Sequence, residues 1–293
     1  MISVIICSRG PEHRKAVTES IASTIGVPYE VVIVDNSSSQ YGICAAYNEG
    51  AARSKYELLC FAHEDLVFDT LDWGHVVARV LRDDSIGALG IAGGKWLAKV
   101  PSSWWGCGHK YLSINLHDRD KVGSYEKNTY SNPESKSLVD VAAVDGLWIC
   151  TRKDVWQKHP FDAETFPDFH FYDVDFCANV YPNYRVCVTF EVNITHFSQG
   201  NFNNSWFVNA DRFYCKYAKY LPLGVPTISA AEVRTQRYEV CKSFLLEIIK
   251  RKQPARLGYK YLAACIQIDP FNRHTLWLAR HYAGFALRAS VAR

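Results

Sequence analysis

Two kinds of apolar pattern alternate along this chain. Ile2 to Cys7 and Tyr29 to Val34 are short runs rich in β-branched residues, each followed by a polar break, Ser8-Arg9-Gly10-Pro11 and Asp35-Asn36-Ser37-Ser38. Such runs predict buried strands. Between them Val17, Ile21 and Ile25 recur on one helical face, and Gly26 with Pro28 ends that helix. A second helix is expected over 43 to 54. Leu58 to Ala62 is a third apolar run, and the chain leaves it through His63-Glu64-Asp65 before turning apolar again at Leu66-Val67-Phe68. The order β-α-β-α-β predicts an α/β fold with a parallel, right-handed, Rossmann-like sheet. Polar residues at the carboxyl ends of such strands stand where open α/β sheets bind ligands. Acidic residues there also cap the next helix, so position alone leaves both readings open.

Further on, Trp73, Val76, Val77 and Val80 make an apolar helical stripe that reads as core, and Ile86 to Gly94 reads as a glycine-rich strand. Val139 to Ile149 is a strand broken at Asp145-Gly146, and Val186 to Val192 is another. From 203 the pattern turns helical, with helices expected over 208 to 221, 232 to 252, 256 to 267 and 274 to 288. The last two frame Ile268-Asp269-Pro270 and look like a single tetratricopeptide-type hairpin. One copy cannot form a solenoid, so packing against the main domain is expected.

Composition changes this picture in two places. The net charge of +3 over 293 residues gives no reason to expect nucleic acid. Its distribution is uneven: Lys250, Arg251, Lys252, Arg256, Lys260, Arg273, Arg280, Arg288 and Arg293 face one acid, Asp269, in the tail. With aromatic residues interspersed, this basic helical tail suits contact with anionic lipid as well as an ordinary solvated face. The ten cysteines include no Cys-x-x-Cys pair, and Cys7, Cys60 and Cys150 lie in apolar runs, where a reduced thiol acts as a small hydrophobe. That usage, with no signal peptide and no apolar stretch of about 20 residues, points to the cytoplasm.

The strand order alone would suit a dinucleotide dehydrogenase. Cys7-Ser8-Arg9-Gly10-Pro11 is not Gly-x-Gly-x-x-Gly, however, so no glycine turn brings backbone amides against a pyrophosphate. Side chains stand there instead. Asp35 can accept a hydrogen bond from a base or ribose, or serve as a turn-forming Asp, and Ser8 and Arg9 can line the same pocket.

Ser3 to Ser8, Glu30 to Asn36, Ala45-Ala46-Tyr47-Asn48-Glu49-Gly50 and Phe61 to Asp65 resemble the family 2-like glycosyltransferases of the GT-A fold. The resemblance implies a Rossmann-like GT-A domain with a mostly parallel central sheet over residues 1–215 and a basic helical extension over 216–293. It implies that Ser8, Arg9, Asp35, Asn48, His63, Glu64, Asp145 and Gly146 bind a nucleotide-sugar donor, with a UDP-sugar favoured. Asp65 stands at the final position of the family's Asp-x-Asp metal motif, whose first acid is here His63. Asp65 and His196, the latter in a His-Phe-Ser-Gln-Gly context, would then hold Mn²⁺ or Mg²⁺; imidazole favours softer ions than Mg²⁺. Phe169 to Phe176 looks like the family's Glu-Asp-x-Asp segment with Tyr172 in place of the Glu, which makes Asp173 the general base and Asp175 the reserve. Residues 97 to 137, with Trp104 and Trp105, are a candidate acceptor-facing insertion or an ordinary surface excursion with buried tryptophans, and Tyr172 is a further acceptor candidate, because aromatic rings stack on sugars.

The reaction implied is inverting, metal-dependent transfer of a sugar to a hydroxyl of a saccharide or glycolipid, in surface-polysaccharide or glycoconjugate synthesis. The alternative is a nucleotide-sugar-binding or scaffold protein of the same fold without turnover, which the replacements His63 and Tyr172 favour.

Overall fold

The computed structural model describes residues 1–120, 124–198, 202–224 and 228–291. β1 (Ile2–Ser8), α1 (Pro11–Thr24), β2 (Tyr29–Asp35), α2 (Ile43–Arg53) and β3 (Leu58–Ala62) appear in the expected order. β1 is parallel to both β2 and β3, with Ser8 opposite Asp35 and Ile6 opposite Ala62. The polar residues after the three strands therefore emerge along one rim.

Next come β4 (Leu66–Phe68), α3 (Trp73–Val80), β5 (Ile86–Gly90), β6 (Ala92–Gly94) and β7 (Trp96–Leu97). Two 3₁₀ turns, Trp104–Cys107 and His109–Tyr111, lead to β8 (Leu112–Arg119) and β9 (Glu126–Ser131). β10 (Leu138–Val141), β11 (Ala143–Val144), β12 (Trp148–Arg152), α4 (Lys153–Lys158), α5 (Tyr172–Val180), β13 (Arg185–Thr189) and β14 (Ile194–His196) follow. α6 (Asn204–Tyr217), β15 (Leu223–Gly224), α7 (Ala230–Lys250), α8 (Tyr259–Ile268) and α9 (Arg273–Val291) end the chain.

The main sheet has the order β10-β13-β5-β12-β3-β1-β2. β2, β1, β3, β5 and β13 share one direction, as the α/β reading requires, while β12 and β10 run against them. A second sheet, β11-β6-β8-β14-β4 with β9 on β8, stands at the rim. Two expected strands are each divided between these sheets. Ile86 to Gly94 breaks at Ile91 into β5 and β6, and Val139 to Ile149 breaks into β10, β11 and β12. Both breaks carry the chain from the scaffold to the rim, and that is where the site is built.

The pleat explains the core. Ile2, Val4 and Ile6 of β1 face one side, with Val17 and Ile21 of α1 and Trp73 of α3, while Ile5 faces the other with Tyr47 of α2 and Phe61. All are fully buried, and each branched aliphatic side chain contributes about 1.5–3 kcal/mol on leaving water. The second layer continues through Trp206 and Phe207 of α6 to Phe244 and Leu245 of α7 and Tyr261 of α8, so the C-terminal helices share the sheet's core. α7 begins with a reciprocal Ser229–Glu232 capping box, which satisfies its first backbone donors. No helix among the described residues is long and apolar enough to cross a membrane.

One sequence expectation is corrected here. Cys60 of β3 and Cys150 of β12 are direct partners in the antiparallel register, with Cα atoms 4.2 Å apart, and their sulfurs form a disulfide. The inference from uniformly reduced thiols to a reducing compartment does not extend to this pair.

Candidate active site

The metal-ligating candidates come together through the second sheet. β14 pairs antiparallel with β4, placing His196 opposite Leu66, and the Phe197 amide donates to the Asp65 carbonyl at 2.9 Å. His196 Nε2 lies 3.6 Å from Asp65 Oδ1, and His63 Nδ1 lies 3.9 Å from the same oxygen. Candidate ligand atoms of His63, Asp65 and His196 all fall within 4.8 Å of one another, which makes this a three-residue site able to hold a cation. His63, read from sequence as a donor contact, thus stands with the metal ligands. Gln199 and Gly200, part of the context that singled out His196, lie outside the described residues.

The far nitrogen of each imidazole is occupied. Tyr172 Oη lies 2.6 Å from His63 Nε2, and Asp118 Oδ1 lies 3.2 Å from His196 Nδ1. Such outer partners fix ring orientation and leave the facing nitrogen for an ion. Burial, with the charge of His196, lowers the pKa of His63 and keeps it in the neutral form that ligates. Burial also opposes the cation of His196, but the Asp118 hydrogen bond and the Asp65 charge outweigh it, so its pKa is raised. The donor set therefore fits a divalent ion, and its two nitrogens suit Mn²⁺ better than Mg²⁺. Asp118 was not anticipated. It is brought in by the parallel pairing of β14 with β8, in which His196 faces Asp118.

Asp173 sits in the first turn of α5, and its Oδ2 accepts from the Gly146 amide at 3.2 Å. Burial, together with the nearby Asp145 charge, pushes its pKa up to about 7, against the lowering effect of that amide and the helix N-terminus. Asp145 is itself fixed, accepting from Trp104 Nε1 at 3.0 Å and from the Leu147 amide at 2.9 Å. Gly146 is required by packing, since a Cβ there would overlap the Tyr172 ring and hydroxyl. A cleft of about 230 Å³ is lined by His63, Asp65, Asp145, Asp173 and His196, with Trp104 and Trp105 on its wall.

A second cleft, of about 520 Å³, opens from the same His63 and Asp65 toward the rim of β1 and β2 and is also lined by Arg9, Asn36, Tyr41, Glu64 and Phe169. Glu64 accepts from Ser8 Oγ at 2.8 Å and from the Arg9 amide, tying the ends of β1 and β3 together. Ser8 is thereby a buried tie rather than a lining residue. Asn36 was passed over in favour of its neighbour. Its side chain brackets Tyr41 through both backbone groups, at 2.9 Å each, and shapes the cleft floor.

Four further candidate residues have partners that bear on their expected roles. Asn48 does not reach either cleft, because its amide donates to the Phe161 carbonyl and accepts from Trp156 Nε1 and the Phe161 amide. Asp35 is exposed beside the larger cleft, paired with Arg14 at 3.3 Å and capping the Ser37 amide. Asp175 points away from the clefts into an ion pair with Lys216 at 2.6 Å, with Tyr217 Oη 2.9 Å away. Tyr172 is buried against His63 and Gly146, which suits an orienting role better than acceptor stacking.

Residues 3–220 match the profile of a family described as glycosyltransferase like. No curated protein sequence gives a significant match. Among solved structures, S. aureus TarS 1-349 in complex with UDP-GlcNAc superposes with a TM-score of 0.58 at 11% identity, over 98% of this chain and 88% of that one. The mannosyltransferase PcManGT from Pyrobaculum calidifontis, with GDP-Man and Mn²⁺, gives 0.52 at 12% identity, over 99% and 86%. GalNAc-T7 with UDP, GalNAc and Mn²⁺ gives 0.51 at 12%, over 87% of this chain but only 58% of its own. At such identities these likenesses speak to the fold, which is that of the GT-A enzymes. The family match spans well over half of the sequence, and on that ground the chain belongs to the glycosyltransferase-like family.

Proposed function

We propose that this protein transfers a sugar from a nucleoside-diphosphate-sugar to an acceptor hydroxyl with inversion, using Asp173 as general base beside a Mn²⁺ site made by His63, Asp65 and His196. One observation carries the reading: a carboxylate with its pKa raised to about 7 shares a small cleft with a three-ligand cation site. The larger cleft takes the nucleoside, with the exposed Arg9 and the Asn36–Tyr41 loop along its wall. When bound, the divalent ion supplies positive charge against the departing diphosphate. The chain's own residues do the rest. Asp173 accepts the acceptor hydroxyl proton as that oxygen bonds to the anomeric carbon, and the bond to the diphosphate oxygen breaks with its electron pair leaving on the diphosphate. The buried Trp104 and Tyr172 form an apolar wall of the cleft beside Asp173.

The raised pKa of Asp173 beside the cation site favours an enzyme over a binding scaffold, because a scaffold has no use for a poised base. Incubating the protein with UDP- and GDP-sugars and Mn²⁺, and following release of the nucleoside diphosphate, tests the reading. Turnover should fall by about 10²–10⁴ in Asp173→Asn. Turnover at the wild-type rate in that variant would remove Asp173 from the mechanism.

α9 supports peripheral attachment to an anionic membrane. At 100° per residue, Arg273, Leu276, Trp277, Arg280, Leu287 and Arg288 share one face; all are exposed, and the helix carries no acid. Such a location accords with glycolipid or surface-polysaccharide synthesis.

A further inference from the structure

A mainly apolar cavity of about 780 Å³ lies between the first 3₁₀ turn and α7, lined by Trp105, Phe202, Trp206, Phe207, Val240 and Phe244. It is separate from the nucleoside cleft and is of the size that takes small-molecule ligands. Trp105 and Phe202 are left 39% and 40% exposed at the cavity wall, where an apolar ligand would cover them together. Trp105 stacks almost parallel on Trp206, with centroids 6.1 Å apart and planes 10° apart, and Phe202 packs against Trp206 at 4.9 Å.

These three rings are shared. Trp105, Phe202 and Trp206 line both this cavity and the small cleft that holds Asp173 and His196. A molecule whose hydroxyl reaches Asp173 and whose remainder crosses this aromatic wall therefore enters the cavity. The charged lining residues are paired: Arg251 Nε lies 2.6 Å from Glu247 Oε2 and its guanidinium also donates to the Phe202 carbonyl at 3.1 Å, while Glu239 Oε2 lies 2.5 Å from Lys242 Nζ. The opening thus offers no strong pull on a free anion. The back wall is α7, Ala230–Lys250, which lies beyond the residues 3–220 matched by the family profile. The chain's own extension, held against the 3₁₀ turn by Gln236 Nε2 donating to the Gly106 carbonyl at 3.0 Å, completes the chamber.

We propose that this cavity binds the apolar aglycone of the acceptor, making the acceptor an amphiphile with an alkyl or prenyl chain next to its accepting hydroxyl. The inference rests on the glycosyl transfer proposed above and gives it an acceptor class.

The test is calorimetric binding of n-octyl and methyl β-D-glucopyranoside to the full chain without donor, with the octyl compound kept below its micelle concentration. The octyl compound is expected to bind at least about tenfold more tightly, the effect of burying two methylene groups. Ser243 is exposed at the cavity wall, so Ser243→Trp obstructs the cavity and should remove that preference, while Ser243→Ala should keep it. Equal binding of the two glycosides, or undiminished octyl binding in folded Ser243→Trp, would overturn the proposal. Titrating the same samples with UDP and GDP in Mn²⁺ separates the two readings. Loss of nucleotide binding with the octyl preference intact faults the transferase reading, and the reverse result faults the cavity.

Discussion

The Tyr172 hydroxyl and His63 Nε2 lie 2.6 Å apart, so the first turn of α5 orients a ring at the end of β3. Removing that hydroxyl should loosen the imidazole without changing any ligand. Tyr172→Phe is expected to weaken Mn²⁺ binding by about 10–100-fold, the usual effect of losing an outer partner of a ligating histidine. Isothermal titration with Mn²⁺ checks this, and unchanged affinity would make the contact incidental.

Asp173 should set the pH response. Its pKa is raised to about 7 by burial and by Asp145, so the basic form accumulates only above that pH and kcat/KM should climb through pH 7. Stability should move the other way. The folded state holds this proton more tightly than the unfolded chain, so the group's contribution is full below the ordinary Asp pKa and is lost as pH rises through about 7. Asp173→Asn cannot ionise. Its Tm should therefore exceed the wild-type value by more at pH 8 than at pH 5, and an equal gap at both would contradict the shift.

Asp175 should matter for folding rather than turnover. Lys216→Met would strand a buried carboxylate that now pairs at 2.6 Å, leaving only the Tyr217 hydroxyl. The loss should be about 2 kcal/mol in urea denaturation, below the usual cost of breaking a fully buried pair because Lys216 is partly exposed. A negligible change would mean the pair is already compensated by solvent.

The outward face of α9 should bind vesicles containing phosphatidylserine and not those of phosphatidylcholine alone. Each arginine near such a surface contributes about 1 kcal/mol. Arg273→Glu, Arg280→Glu and Arg288→Glu combined should abolish co-sedimentation at 0.1 M salt. Equal pelleting of the triple variant would assign the face to solvent.

Much of this site was legible because its residues end apolar runs. Asp65, Asp145 and His196 each stand where a strand stops, and the strand order gave them one rim. What failed was geometry that short patterns do not carry. Asp173 and Asp175 are two residues apart on a helix and so point about 160° apart, one to the cleft and one to Lys216. Asn48 lies in a motif-like helix, but its amide is used by the Phe161 loop, 113 residues away. Asp118 and the Cys60–Cys150 pair depend on strand registers between distant segments, β14 on β8 and β12 on β3. Nothing local in the sequence encodes either.

In the reaction we propose, His63, Asp65 and His196 hold a divalent ion that in turn holds the donor diphosphate. Titrating UDP and GDP into the wild type and His196→Ala, with and without Mn²⁺, tests it most directly. Mn²⁺ should strengthen binding of one nucleotide at least about tenfold in the wild type and leave the variant unchanged. Affinity indifferent to Mn²⁺, or a Mn²⁺ effect that survives in His196→Ala, would contradict the account.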